Sequence, residues 1–500
     1  MKPKQGLPQV SPGAALFGLV VGGTLAAAGL GMIAVALLAL TGDGEEIGVF
    51  AVVGVVVLAI GMAGIGISSG RERRAAALRP YLGFAAVTLA WLAAAVAGAV
   101  PLLLVGTFSN PINAFFESMS GFTTTGASLL ENYDQPDAVF WWRSIMQYLG
   151  GIGIVVLVVA IAPVSGTGIQ RAFYAEVSGV TADRLTPRII DTAKILAGIY
   201  GVLTAIAFTA YVATGMNAFD GLNHTMTTVA TGGFSTNPDS IAGFHSIGIE
   251  MVALFVMILA GVNFAFYWRA IKGQDLMPQL AEVRAYLMIL GGAIVAVTIS
   301  LLIASDVGGF AQTVREAAFS VTTVMTGTGY VTGDFDSWND FARVLILIMM
   351  FTGACAGSTA GGIKVIRISL LFKAARQELD RQLQPSAVQV LRMGGRPFSE
   401  QVRRAVLGFF LLYVLVYAFG SLAMASTGVD PVTAISASAA TLNIVGPGLG
   451  EIGATESFTG IPEGGRLVGA LLMLTGRLEI FTVVALLAPL FRMRRRRARA

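Results

Sequence analysis

The chain has 500 residues, 55% of them hydrophobic and only 12% charged, with 61 glycines and a formal net charge of +4. A soluble domain carries about a quarter charged residues, so this composition excludes a water-soluble globule and points to a membrane protein. The lone cysteine, Cys355, excludes an internal disulfide framework, and the basic residues sit in short clusters beside apolar stretches, which sets nucleic-acid binding aside.

Stretches apolar and long enough to cross a hydrocarbon core of about 30 Å fall near 14–40, 47–69, 81–106, 139–163, 190–215, 246–271, 285–304, 341–372, 402–426 and 465–490. The first is too long for a cleaved signal peptide, and no small-residue cleavage site precedes the second. Basic residues mark every second loop. Arg71, Arg73, Arg74 and Arg79 follow the second span; Arg171, Arg184, Arg188 and Lys194 follow the fourth. Arg269, Lys272 and Arg284 follow the sixth, and Lys373, Arg376, Arg381, Arg392, Arg396, Arg403 and Arg404 the eighth. The tail carries Arg492 and Arg494 to Arg497. The intervening loops are neutral or acidic, with Asp43, Glu45, Glu46, Glu131, Asp134, Asp137, Asp334, Asp336 and Asp340. Positive charge stays on the cytoplasmic side, so ten spans place both termini in the cytoplasm.

Four of the non-basic loops share one pattern: a weakly apolar stretch of about ten residues, a Thr/Gly-rich turn, and a polar run into the next span. The turns are Phe-Thr-Thr-Thr-Gly-Ala-Ser (122–128), Val-Ala-Thr-Gly-Gly-Phe-Ser (229–235), Thr-Gly-Thr-Gly-Tyr-Val-Thr (326–332) and Asn-Ile-Val-Gly-Pro-Gly (443–448). Aligned on Gly126, Gly232, Gly329 and Gly446, they recur at intervals of 106, 97 and 117 residues. A near-constant period with the same elements in the same order signals internal duplication. The predicted fold is an all-α polytopic membrane protein. It holds four pseudosymmetric helix–pore loop–helix repeats around one pore, plus two extra N-terminal spans. The corresponding units are 1–75 for the extra pair, then 76–180, 181–275, 276–395 and 396–500 for the repeats.

A re-entrant stretch of ten residues cannot cross the bilayer, and irregular backbone at membrane depth is tolerated only where it is buried in protein or lines a watery path. Four such turns around one axis present rings of carbonyls, the groups that replace a permeating cation's hydration shell. Short helices aiming their negative ends at the same point favour a cation. One Thr/Gly turn in so glycine-rich a chain signals packing; four in register signal a filter.

The four turns, with Gly-Gly-Phe-Ser (232–235), Leu-Asn-Ile-Val-Gly-Pro-Gly-Leu-Gly (442–450) and Gly-Arg-Leu-Glu-Ile-Phe-Thr (476–482), resemble the TrkH subunit of bacterial Trk potassium uptake systems, within the wider Trk/Ktr/HKT superfamily. The resemblance covers essentially the whole chain, and the extra N-terminal pair favours Trk over Ktr. It implies a potassium pathway in each protomer of a homodimer in the bacterial inner membrane. It also implies a cytosolic TrkA-type regulatory subunit, through which any nucleotide acts, with no cofactor bound covalently. It maps the filter glycines to Gly126, Gly232, Gly329 and Gly446. The coordinating carbonyls then come from Thr124 and Thr125, Ala230 and Thr231, Gly327 and Thr328, and Ile444 and Val445. A serine at the first glycine accompanies sodium transport in plant relatives; glycine at all four positions favours potassium.

The eighth span would be about 48 Å long as one helix at 1.5 Å per residue, well beyond the membrane core. Its middle, 353–364, holds Gly353, Gly357, Ser358, Thr359, Gly361, Gly362 and Lys364, a poor helix with hydroxyls at membrane depth. The expectation is an unwound segment beneath the filter, where the resembling family places a gating loop. Arg477 falls near the middle of the last span, a costly position for an arginine unless it faces a cavity or a partner. In the resembling family it protrudes into the ion path. Glu117, Glu250 and Glu316 are candidates for its counter-charge or for attracting cations at the outer mouth, whereas Glu479, two residues along the same helix, is poorly placed.

Catalytic chemistry finds little support: the histidines are His224 and His245 alone, and no nucleotide-binding fingerprint precedes a helix. The alternative to a gated pore is an ion-coupled secondary transporter, driven by protons or sodium, with alternating access between inverted repeats. The four repeats here all enter from the same side, which favours the pore.

Overall fold

The computed structural model describes residues 12–41, 46–68, 80–161, 189–305, 308–384, 392–393, 396–397, 400–484 and 486. The predicted basic residues 71–79, 171–188 and 492–497, together with Asp43 and Glu45, lie outside the described residues. Apart from one two-residue antiparallel pair, Arg392–Met393 with Arg396–Pro397, the described regular structure is helical.

Helices α1 (Pro12–Leu38) and α2 (Glu46–Ser68) form the N-terminal pair. They meet through glycine: a Cβ on Gly22 would lie 2.7 Å from the Gly61 carbonyl, and one on Gly61 2.5 Å from the Ala26 amide. Small residues let backbones approach where apolar burial alone gives no drive inside lipid. The outward face of α2 carries Val52, Val55 and Ile60, each more than half exposed, as expected of a lipid-facing surface.

The same sequence of elements then recurs four times. The first unit is α3 (Pro80–Leu104), the short α4 (Pro111–Thr123) and α5 (Asp137–Ile161). The second is α6 (Ile189–Ala213), the short α7 (Ala218–Val229), then α8 (Ile247–Ala260) and α9 (Phe264–Ile271). The third is α10 (Met277–Ala304), the short α11 (Phe310–Thr326), then α12 (Asp340–Phe351) and α13 (Val365–Leu383). The fourth is α14 (Glu400–Ala425), the short α15 (Pro431–Asn443), then α16 (Glu463–Arg477) and α17 (Ile480–Val484).

The short helices start where local chemistry dictates. Asn110 and Asp430 cap α4 and α15, their side chains accepting from Ile112 N at 2.9 Å and Val432 N at 2.8 Å, with proline at the first helical position in both. Asn217 does the same for α7 through Asp220 N, 2.8 Å away. With 13, 12, 17 and 13 residues, none is long enough to span the bilayer at 1.5 Å per residue.

Three expected spans differ from straight helices. The eighth breaks between α12 and α13, as its glycine content predicts. The sixth, expected near 246–271, turns by 85° between α8 and α9. Asn263 starts the new helix, its side chain accepting from Ala265 N at 2.9 Å. The tenth ends its main helix at Arg477 and turns through Glu479, whose φ is +57°.

Candidate functional site

The C-terminal ends of the four short helices converge. Each ends in a left-handed residue, then one in ordinary conformation, then a left-handed glycine: Thr124 and Gly126, Thr231 and Gly233, Gly327 and Gly329, Ile444 and Gly446. The residue between them donates its amide five positions back, Thr125 to Ser120 at 2.9 Å, Gly232 to Thr227 at 2.8 Å, Thr328 to Thr323 at 2.9 Å and Val445 to Ala440 at 2.9 Å. The four loops are therefore copies of one conformation.

That conformation corrects the alignment of the second loop. Gly233, not Gly232, is the counterpart of Gly126, Gly329 and Gly446, and the preceding carbonyls are those of Thr231 and Gly232 rather than Ala230 and Thr231. The physical reason is the end of α7: Ala230 is still right-handed, and the chain first turns left-handed at Thr231. Two adjacent glycines gave no sequence signal to choose between them.

The copies close into a ring. A Cβ placed on Gly126 would fall on the carbonyl oxygen of Gly232, one on Gly233 on that of Thr328, and one on Gly329 on that of Val445. A Cβ on Gly446 would lie 2.9 Å from the Thr125 carbonyl, which returns the ring to its start. Each loop thus abuts the next in chain order. Above the ring opens a cavity of about 290 Å³ lined by Gly126, Gly233, Gly329 and Gly446, with exposed Glu131 and Glu456 also on its wall. Four helix C-termini and these carboxylates all favour a cation there.

Side chains strap neighbouring loops together. Arg143 and Glu117 form a buried pair at 2.9 Å. Glu117 also accepts from Ser128 Oγ at 2.9 Å and Leu129 N at 2.8 Å, and Arg143 donates to the Ser235 carbonyl at 3.2 Å, joining loops one and two. The Tyr330 hydroxyl lies 2.5 Å from Thr227 Oγ1, joining two and three. Asp336 pairs with Arg343 at 2.9 Å and accepts from Gly450 N at 2.9 Å, joining three and four. Phe458 N donates to the Ser128 carbonyl at 3.0 Å, joining four and one. His224 is buried against the Asp220 carbonyl and Ser235 Oγ. Arg143 and Gln147 escaped the sequence reading. Their signal was a charge and an amide inside an otherwise apolar helix.

Beneath the ring lies the break in the eighth span, 352–364. Several of its backbone groups find partners at membrane depth, where irregular chain needs them. Gly353 N donates to the Ile363 carbonyl at 2.6 Å, Cys355 N to Gly261 at 3.0 Å, and Phe264 N to the Gly357 carbonyl at 3.2 Å. The bend in the sixth span thus supplies partners for the loop. Ala356 N donates to Glu282 at 2.6 Å, Ser358 Oγ to Cys355 O at 2.6 Å, and Lys364 Nζ to Ala360 O at 2.6 Å. Gly361 presses against Asn443 and Ile444, and Gly362 against Gly353. Thr359, fully buried, donates to the carbonyl of Val229, the last residue of α7, at 3.2 Å.

Arg477, only 3% exposed, ends α16 against this loop. Its two terminal nitrogens donate to the carbonyls of Thr359 and Gly150, each at 2.8 Å. None of the expected counter-charges meets it. Glu117 is taken by Arg143, Glu250 by Arg315 at 3.3 Å, and Glu316 accepts from Gln312 at 2.9 Å. Glu479 pairs instead with Arg367 at 2.8 Å. The charge is met by carbonyl dipoles, at a helix C-terminus where a cation is favoured.

These features define a polytopic all-α membrane protein with four pore-loop repeats. The family model for TrkH, described as a cation transport protein, matches residues 56–491, and the chain belongs to that family. It is 40% identical over 419 residues to the Trk system potassium uptake protein TrkH of Halomonas elongata, covering 83% of this chain and 86% of the relative. Against the Trk system potassium uptake protein TrkG of Escherichia coli K12 it is 32% identical over 421 residues, covering 83% and 86%. The crystal structure of the potassium transporter TrkH from Vibrio parahaemolyticus superposes with a TM-score of 0.86 at 35% identity, covering 95% of this chain and 99% of that one.

Proposed function

We propose that this protein mediates potassium uptake across the bacterial cytoplasmic membrane through a gated, channel-like pore. The observation that carries the reading is the closed ring in which Gly126, Gly233, Gly329 and Gly446 each abut a carbonyl of the neighbouring loop. Carbonyls of Thr124 and Thr125, Thr231 and Gly232, Gly327 and Thr328, and Ile444 and Val445 replace the ion's water shell, and the left-handed glycines leave no side chain in its path. Potassium is the transported substrate. The names of the relatives support this choice, and the acidic vestibule faces the outside.

In this proposal the loop 353–364 and Arg477 form the gate. The loop occupies the space under the ring, and the fixed charge of Arg477 opposes a cation that has passed the filter. A homodimer in the inner membrane with both termini cytoplasmic, and a TrkA-type cytosolic partner that binds the nucleotide and moves the loop, complete the reading. An alternating-access carrier would call for inverted repeats, whereas these four units run in the same order.

The test is expression in a bacterium lacking its own potassium uptake systems, grown on low potassium with and without a cognate regulatory subunit. Rescue is expected. Failure in both conditions, with the protein present in the membrane, overturns the proposal.

A further inference from the structure

We infer that Gln147 is a selectivity-setting positioning residue, a side-chain amide that clamps the second loop's carbonyl into the filter ring. The inference rests on the four-loop filter proposed above. Gln147 lies on α5 and is fully buried. Its Nε2 donates to the Gly232 carbonyl at 2.7 Å, and its Oε1 accepts from Phe234 N at 3.2 Å. Only one orientation of the amide satisfies both contacts, because the carbonyl needs a donor and the amide an acceptor. A Cβ on Gly232 would collide with this same amide. The side chain therefore grips the backbone on both sides of Gly233, the left-handed glycine of that loop.

The other three loops have no such clamp. The counterparts of the Gly232 carbonyl are those of Thr125, Thr328 and Val445, and among the described residues no side chain donates to any of them. Loops one and three carry another device, hydroxyl pairs of Thr123 with Thr125 at 2.8 Å and Thr326 with Thr328 at 2.9 Å. The second loop has glycine at that position and cannot make one. Its Gly232-Gly233 pair is also the most permissive stretch of backbone in the ring, free to rotate the intervening peptide. Gln147 removes that freedom. It spends one of the two acceptor sites of the Gly232 oxygen and fixes the direction in which the other points.

One quadrant of the ring thus has a carbonyl of fixed direction and reduced availability. Discrimination between cations depends on the number and field strength of the carbonyls that meet the ion. Loss of the clamp lets the peptide rotate and removes that oxygen from the ring for part of the time. The smaller, more strongly hydrated sodium ion gains most from a looser ring that can close around it.

The test measures potassium-to-sodium permeability ratios in proteoliposomes for the wild type, Gln147→Met, Gln147→Asn and the filter variant Gly126→Ser, with thermal stability followed in parallel. Gln147→Met removes both contacts at similar volume. Gln147→Asn keeps a neutral amide but is one methylene too short to hold both contacts, and it carries the test where the methionine variant fails to fold. Both are expected to lower the ratio of the folded protein about tenfold, the factor one net hydrogen bond carries. A wild-type ratio in the Gln147 variants while Gly126→Ser lowers it overturns this inference alone. Unchanged ratios in all three variants overturn the filter reading with it.

Discussion

The guanidinium of Arg477 donates to the main-chain carbonyl of Thr359 at 2.8 Å, while the Thr359 hydroxyl donates to the carbonyl of Val229 at 3.2 Å. With the second contact of Arg477, to Gly150 at 2.8 Å, one arginine and one threonine connect all four repeats under the ring: Gly150 from the first, Val229 from the second, Thr359 from the third and Arg477 from the fourth. Movement of the loop must break this strap. Two distinct roles for Arg477 follow, as a tie and as a charge.

Arg477→Ala removes both roles. Hydrogen bonds from a charged group contribute about 1.5–3 kcal/mol each, so the closed arrangement loses enough to raise regulator-independent rubidium flux at least tenfold. Flux at or below the wild-type level would sink the gate. Arg477→Lys keeps the charge but has no planar fork to reach two carbonyls at once, and an intermediate flux is expected. A lysine variant equal to wild type would assign the effect to charge alone.

The Glu117–Arg143 pair holds loops one and two from behind, with both side chains buried. Removing one partner strands the other charge at a cost of about 3–5 kcal/mol. Glu117→Gln or Arg143→Leu alone is expected to lower the melting temperature in detergent sharply. The double variant, which leaves no uncompensated charge, should recover a large part of that loss. A double variant as unstable as the sum of the two singles would show that the pair is not the energetic unit.

Much of this was legible in the sequence, and the gaps have physical causes. The four loops stand out because a re-entrant helix, a left-handed turn and a return strand of chain each leave a residue signature, and the signature repeats. The break in the eighth span is legible because six residues in the run 353–362 are glycine, serine or threonine. The bend in the sixth span is not, since Gly261-Val262-Asn263 is brief and its freed backbone groups find partners about 95 residues away in Cys355 and Gly357. The partners of Arg477 were hidden for a related reason: they are carbonyls, which every residue has. A search for carboxylates could not find them.

The register of the second loop yields a sharper prediction, because Gly232 and Gly233 differ in what surrounds them. Gly233 has a φ of +76°, and a Cβ there meets the main-chain carbonyl of Thr328, which cannot move without disturbing the third loop. The three atoms nearest a Cβ on Gly232 all belong to the amide end of Gln147. Gly233→Ala should therefore abolish complementation on low potassium, while Gly232→Ala impairs it less. The reverse order would restore the register expected from sequence alone.

The N-terminal pair offers a control, since it lies outside the four repeats. Gly61 packs so closely on α1 that a Cβ would lie 2.5 Å from the Ala26 amide and 2.6 Å from the Gly22 carbonyl. Backbone on both sides leaves a larger side chain nowhere to go, and overpacking of this kind costs about 1–3 kcal/mol. Gly61→Leu is expected to lower thermal stability and the yield of folded protein. Flux per folded molecule and the potassium-to-sodium ratio should stay at wild-type values, because the atoms nearest a Cβ on Gly61 all belong to α1. A variant that folds normally but loses selectivity would tie the packing of this helix pair to the pore.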